Sequence, residues 1–176
     1  NVELKDLEKD IFESKNKPTI VQNPSHNMGQ HRFSFHPNPF SDEDGKRGEE
    51  IAFEKEKKRL EDLGLTDYVE KIKHVSLINP TNPWDIESFD QSENGVVQIR
   101  IEVKATPSPD NYVFPMSEKE LLEALRDDNE KPKYYIYRVF NVRQNPRIER
   151  FDFLDFFKKN LIDFKSKDFY VEIMRT

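Results

Sequence analysis

The chain contains no cysteine, so disulfide scaffolds, thiolate zinc sites and cysteine nucleophiles are excluded. It has no run of about 18 apolar residues, so no segment reads as a transmembrane helix and no membrane partner is expected. No stretch has the pattern of a signal peptide, which makes a reducing, cytoplasmic location the expectation. Charge of one sign is not in large excess either. The 28 Lys+Arg against 34 Asp+Glu leave a net charge of −6, which argues against a histone-like attraction to nucleic acid but permits a local basic surface. What is present is enough chain, 176 residues, for one globular domain and an appendage. A start at Asn1 reads as a domain cut from a longer protein.

The composition divides the chain at residue 44. Residues 2–15 have Leu4, Leu7, Ile11 and Phe12 at helical spacing. Residues 16–44 are then interrupted by Pro18, Asn23, Pro24, Pro37, Asn38 and Pro39, and Gly45 follows, so an irregular arm is expected. Phe33 and Phe35 could form one brief strand within it. His26, His31 and His36 recur every five residues, a spacing that suits neither a helix face nor a strand face, and they read as polar loop histidines rather than zinc ligands. The expected division is a helical and irregular arm over 1–44 and an α/β domain over 45–176.

From Gly45 onward the pattern is regular. Gly48 to Leu63 predicts a helix stopped by Gly64. His74 to Ile78 and Trp84 to Asp90 predict two strands, and Gln91–Gly95 closes a hairpin to a third. That third strand, Val96 to Lys104, alternates clearly: Val97, Ile99, Ile101 and Val103 on one face, Gln98, Arg100, Glu102 and Lys104 on the other. Ser117 and Glu120 form a capping box that opens a helix carrying Leu121, Leu122, Ala124 and Leu125. Tyr134 to Val142 reads as a buried central strand. Phe151 to Phe157 predicts a last short helix, and Phe169 to Met174 an extra strand. The aromatics Trp84, Phe151, Phe153, Phe156 and Phe157 read as core or rim rather than as a nucleic-acid platform.

Asp85, Glu102 and Lys104 stand apart chemically. Side chains two apart on a strand point the same way, so Glu102 and Lys104 share a face, and pairing within the hairpin can bring Asp85 beside them. Converging carboxylates repel unless a cation intervenes, and a hard divalent ion suits a pair of them with water and substrate oxygens completing its shell. Lys104 would then place positive charge where negative charge grows on a scissile phosphate. The motif itself is common here: Glu-x-Lys recurs at Glu3, Glu13, Glu56 and Glu102, and Asp-x-Lys at Asp44 and Asp163. Only Glu102 follows a hairpin whose first strand offers an aspartate, since Glu56 falls within a helix and neither Asp44 nor Asp163 falls in an alternating strand. The competing reading of this trio is a solvent-facing cross-strand ion pair worth roughly 0.2–1 kcal/mol.

Basic residues concentrate late in the chain. Lys131, Lys133, Arg138, Arg143, Arg147 and Arg150 face a single acid, Glu149. The run reads either as a solvated face or as a phosphate-contacting surface that gives affinity without sequence information.

Gly48-Glu49-Glu50 opening a helix, Trp84-Asp85-Ile86-Glu87-Ser88, Ile101-Glu102-Val103-Lys104 and Tyr135-Ile136-Tyr137-Arg138-Val139 together resemble a known family. They look like the PD-(D/E)xK nuclease superfamily, more narrowly its No Vein C-terminal type of domain, over roughly Gly45 to Phe157. The residue before Asp85 is Trp84, so the literal Pro-Asp pair of that superfamily is absent.

The resemblance implies a restriction-endonuclease-like α/β core of helix, three strands, helix and strand, with a mixed central sheet flanked by helices. It implies metal ligation by Asp85 and Glu102, catalytic support from Lys104, and an acid on the first helix, Glu49 with Glu50 as second choice. The function so implied is Mg²⁺- or Mn²⁺-dependent hydrolysis of DNA, with Lys131, Lys133, Arg138, Arg143 and Arg147 contacting nucleic acid and other domains of a larger protein supplying the target. The alternative is an inactive nuclease-fold module that binds nucleic acid or protein. An interaction domain whose N-terminal arm clamps a partner or a second copy, giving a homodimer, is a third expectation.

Overall fold

The computed structural model describes residues 41–126, 132–165 and 170–173. The helix expected over 2–15, the arm through residue 40, its three histidines and Lys131 lie outside the described residues.

The first described element is helix α1, Ser41–Asp62. It begins earlier than the apolar pattern indicates and runs through the division expected at residue 44. Its first turn carries Asp42, Glu43 and Asp44, acids that suit the positive end of the helix dipole. Asp44 is buried, and its two carboxylate oxygens accept from Arg143 at 2.8 and 2.9 Å, so tertiary pairing carries the helix past Gly45. All described residues fall in one compact unit, Pro37–Thr176. Gly64 stops the helix just past Asp62, its φ of +73° letting the Leu65 amide turn back to the Leu60 carbonyl at 2.8 Å.

Gly48, Ala52, Glu56 and Leu60 recur every fourth residue along α1, and all four are buried. This stripe lies on the central sheet. The contact is closest at Gly48, where an added Cβ would stand 2.5 Å from the Ala105 Cβ. A glycine inside a helix costs about 1 kcal/mol relative to alanine, and here it permits the close approach of helix to strand.

After α2 (Thr66–Val69) come β1 (Lys73–His74), β2 (Ile86–Ser92) and β3 (Gly95–Ala105). Strand β4 (Val113–Pro115) and helix α3 (Glu118–Ala124) precede β5 (Lys133–Phe140), followed by β6 (Arg147–Asp152), α4 (Phe153–Lys158), β7 (Ile162–Lys165) and β8 (Tyr170–Ile173). The main sheet has the order β1-β2-β3-β5-β6, antiparallel throughout except for the parallel pair β3–β5. That parallel step requires a crossover, and α3 lies within it. A second, antiparallel sheet has the order β4-β8-β7.

Both faces of the main sheet are covered. Ile99, Ile101 and Val103 of β3 join Tyr137 and Val139 of β5 against Ala52 and Leu60 of α1. Tyr134 and Ile136, alternating with them on β5, pack with Leu121 and Ala124 of α3, Phe151, Phe153, and Phe114 and Val171 of the second sheet. Full burial of side chains this size is worth roughly 1.5–3 kcal/mol each. The architecture is thus a mixed α/β sheet flanked by helices, as expected. Among the described residues no helix is long and apolar enough to cross a membrane.

Several details differ from the sequence reading. The first strand is only two residues long, because the chain from Val75 turns to bond Asp85 and then folds back on itself through Asn79 and Asn82. Strand β6 was not anticipated: Arg147, Glu149, Arg150 and Asp152 hide a strand with only Ile148 and Phe151 as apolar markers. Strand β5 ends at Phe140, and Asn141 turns the chain with a φ of +51°. Asp163, which the pattern places in no alternating strand, lies in the four-residue strand β7, where it is exposed.

Candidate active site

Asp85 precedes β2, and its backbone amide bonds the Ile101 carbonyl at 2.9 Å, continuing the β2–β3 ladder by one position. The register pairs Ile86 with Ile101, so Asp85 falls next to Glu102. Its Oδ2 accepts the Val103 amide proton at 2.7 Å. The aspartate is therefore tied to β3 on both sides of Glu102.

Glu102 and Lys104 lie on the sheet face roofed by α3 rather than on a solvent-facing strand. Glu102 is 5% exposed. The Lys104 ammonium sits 2.7 Å from Glu102 Oε1 and 2.8 Å from Glu120 Oε2, an acid of α3. The structure thus brings Asp85, Glu102 and Lys104 together, and the ion pair it contains is a buried one.

Glu49 arrives from α1, on the other side of the sheet. Its Oε2 accepts from the Ser76 hydroxyl at 2.6 Å and lies 3.0 Å from His74 Nε2. The His74 ring stacks on Phe53 at 5.2 Å between centroids. Glu49 is half-buried and close enough for its charge to be felt at Asp85, whereas Glu50 is exposed.

The electrostatics follow from this crowding. Burial pushes the Asp85 carboxyl up to about 6, and the charges of Glu49 and Glu120 add to the effect against the Val103 amide and Lys104. Burial likewise raises Glu102 well above the ordinary carboxylate range, with Asp85 and Glu120 reinforcing it and Lys104 opposing. Burial alone would lower Lys104, but the carboxylates of Glu102 and Glu120 outweigh it and push the ammonium up to about 12. Tyr134, buried beside the cluster, donates its hydroxyl to the Pro83 carbonyl and is itself raised, first by burial and then by Glu102 and Glu120.

A buried patch holding more carboxylates than ammonium groups suits a hard cation. Asp85 and Glu102 offer oxygens only, the donor set of a Mg²⁺ ion that keeps several waters. Among the described residues, no group of three or more His, Cys, Asp or Glu side chains is arranged to hold a metal ion, so these two carboxylates would need water and substrate oxygens to complete a shell.

Sequence reasoning missed Glu120 as a member of this cluster, although the capping box had already singled it out. Its Oε2 accepts the Ser117 amide at 3.0 Å while it also meets Lys104. Glu56 was passed over as helical, and it is a fully buried acid outside the site. It accepts from Ser88 Oγ at 2.6 Å, from Arg59 Nε at 2.8 Å and from the Tyr137 hydroxyl.

The basic run is largely committed internally. Arg138 is 3% exposed and its guanidinium donates to the carbonyls of Lys104, Ala105, Asn111 and Val113. This removes it from any phosphate-facing surface, because its position on central strand β5 turns it inward. Lys133 pairs with Asp152 at 3.2 Å, Arg143 with Asp44, Arg147 with Glu149, and Arg150 with Asp90. Lys133, Arg143 and Arg147 nevertheless stay exposed. Trp84 is half-buried under the Arg100 guanidinium, which lies 3.9 Å from the ring centre, and Phe151 and Phe153 are core.

A mixed sheet with helices on both faces, carrying a buried carboxylate–lysine cluster at the hairpin of β2 and β3, defines the class of domain. The particular family follows from comparison. Residues 48–151, more than half of the chain, match the family described as Protein NO VEIN, C-terminal, and the chain belongs to it. The matched span contains Glu49, Asp85, Glu102 and Lys104. No curated protein and no solved structure matches the chain.

Proposed function

We propose that this domain is a metal-dependent nuclease domain of PD-(D/E)xK type that hydrolyses phosphodiester bonds in DNA. The observation that carries the reading is the convergence of Asp85, Glu102 and Lys104 on one buried sheet face, with both acids harder to ionise than usual. Crowded carboxylates of this kind are stabilised by a divalent cation, and a perturbed cluster of this sort is typical of functional sites.

Asp85 and Glu102 hold a Mg²⁺ or Mn²⁺ ion, which when bound supplies positive charge to neutralise a phosphate. Lys104 stays protonated over the whole physiological range and places its ammonium beside the reacting phosphate or orients the attacking water. Glu49, fixed by Ser76 and His74, would act on the ion through a water. With a net charge of −6 on the chain as a whole and an internally paired basic run, the protein has weak affinity for DNA on its own. Other domains of a larger, cytoplasmic nucleic-acid-processing or defence protein deliver it to its target.

A second reading is a nuclease-fold module without catalysis. It is favoured by the absence, among the described residues, of any group of three or more His, Cys, Asp or Glu side chains that could hold a metal, and by the pairing of Lys104 with two carboxylates. One titration separates the two. Binding of Mn²⁺ and cleavage of plasmid are measured for wild type, Asp85→Ala and Lys104→Ala. The nuclease reading requires Asp85→Ala to lose both metal and cutting, and Lys104→Ala to keep metal and lose cutting. DNA binding that ignores both substitutions, with no cleavage by wild type, identifies the module.

A further inference from the structure

We infer that Glu120 is a positioning residue for Lys104, and that the capping box of α3 doubles as the latch that fixes this lysine over the β2–β3 hairpin. The inference rests on the nuclease reading above for its catalytic consequence and adds to it a group from the second helix.

The geometry is specific. Lysine carries its charge on a flexible four-carbon stem, so an ammonium near a reacting phosphate is useful only if something holds it there. Glu102 meets the ammonium through Oε1 at 2.7 Å, a single contact from one side. Glu120 supplies the second hold: its Oε2 meets the ammonium at 2.8 Å. The same oxygen accepts the Ser117 amide at 3.0 Å, and Ser117 Oγ in turn accepts the Glu120 amide. The glutamate rotamer is thereby set by the backbone at the start of α3 and not by Lys104. The helix is anchored in the core through Leu121 and Ala124, so the latch has a rigid mount. An N3 glutamate needs only to close the capping box. This one also reaches a half-buried lysine on the central strand of the sheet.

The two roles of Glu120 can be separated by mutation, because glutamine also serves at N3 of a capping box while lacking the charge that grips an ammonium. Glu120→Gln should keep the melting temperature close to wild type, lower the turnover number for Mg²⁺-dependent cleavage by about tenfold or more and leave the KM for DNA unchanged, as misplacement of a reacting group does. Ser117→Ala should do the reverse, losing thermal stability while keeping turnover within about threefold. A readout independent of cleavage is the rate at which acetic anhydride acylates Lys104 in the metal-free protein, followed by peptide mass mapping. That rate should be slow in wild type and Ser117→Ala and several-fold faster in Glu120→Gln. Equal acylation of Lys104 in wild type and Glu120→Gln overturns the latch, as does a KM change with unchanged turnover. A wild type that never cuts DNA counts against the nuclease reading only, and the acylation order then decides the latch.

Discussion

Asp85 and Val103 are joined side chain to backbone, the aspartate Oδ2 accepting the valine amide at 2.7 Å. This bond orients a carboxylate that burial and its acidic neighbours make reluctant to ionise. A carboxyl whose folded pKa exceeds its unfolded one stabilises the fold at low pH, and that contribution disappears as pH rises through the folded value.

For Asp85 the window runs from its ordinary value of 3.8 to about 6. The metal-free protein should therefore lose about 2 kcal/mol from this group between about pH 4 and pH 7. Asp85→Asn keeps an oxygen to accept the Val103 amide and removes the charge. Its stability relative to wild type should rise across that interval. Urea denaturation of both proteins at several pH values measures the difference, and parallel curves would show that the carboxyl is not strained. Mg²⁺ should raise the melting temperature of wild type more at pH 7 than at pH 5, because the ligands must be ionised to bind it.

Gly48 predicts a second outcome. Alanine is the better helix former by about 1 kcal/mol, yet its Cβ would lie 2.5 Å from that of Ala105. Gly48→Ala should thus destabilise the domain by about 1–3 kcal/mol, the usual cost of overpacking. The double variant Gly48→Ala/Ala105→Gly should recover much of the loss. Because Glu49 follows directly, the single variant should also weaken Mn²⁺ binding. A stabilised Gly48→Ala protein would mean that α1 does not approach β3 this closely.

Glu56 sits beneath the sheet with Arg59, Ser88 and Tyr137 as its partners and no role in the candidate site. Removing one member of a buried charged network costs about 3–5 kcal/mol. Glu56→Ala should lose that much in chemical denaturation. Whatever fraction remains folded should bind Mn²⁺ as wild type does, which sets this acid apart from Asp85 and Glu102.

Local signals accounted for much of this structure. The alternation of β3 and the Ser117–Glu120 capping box are each encoded within a few residues and found where the pattern puts them. The hairpin joining β3 to β2 is present but tighter than the pattern indicates, with β2 shifted to Ile86–Ser92 and only Glu93 and Asn94 left between the strands. Phe169 to Met174 likewise contains β8. Asp85, Glu102 and Lys104 were recoverable because a two-residue strand period and one hairpin register fix their shared face. What escaped depends on packing between distant segments. The Asp44–Arg143 pair carries α1 back past the glycines, and pairing with β5 makes a strand of the charged stretch 147–152. The roof of α3 turns an apparently exposed ion pair into a buried one. Arg138 is the clearest case, since it belongs to the basic run by composition while its neighbours in space are carbonyl oxygens.

Arg138 and its neighbours on the basic run should therefore respond differently to substitution. Burial lowers the Arg138 guanidinium to about 10, so it remains charged at neutral pH and depends on its four carbonyl acceptors. Arg138→Ala would take the guanidinium donor from those carbonyls and open a cavity beside Phe114 and Phe140, whose rings lie 5.4 and 5.6 Å from the guanidinium. Unsatisfied buried polar groups cost about 1–3 kcal/mol each, so the variant should be strongly destabilised or fail to fold. Lys133→Ala and Arg147→Ala remove exposed cations in surface pairs and should change stability by less than about 1 kcal/mol. If these two residues contact phosphate, each loss should reduce the salt dependence of DNA binding by about one counterion, weakening all sequences alike. Fluorescence anisotropy with a short duplex over a range of salt concentrations reads that slope directly. An unchanged slope in the Lys133→Ala/Arg147→Ala double variant would place the DNA elsewhere on the domain.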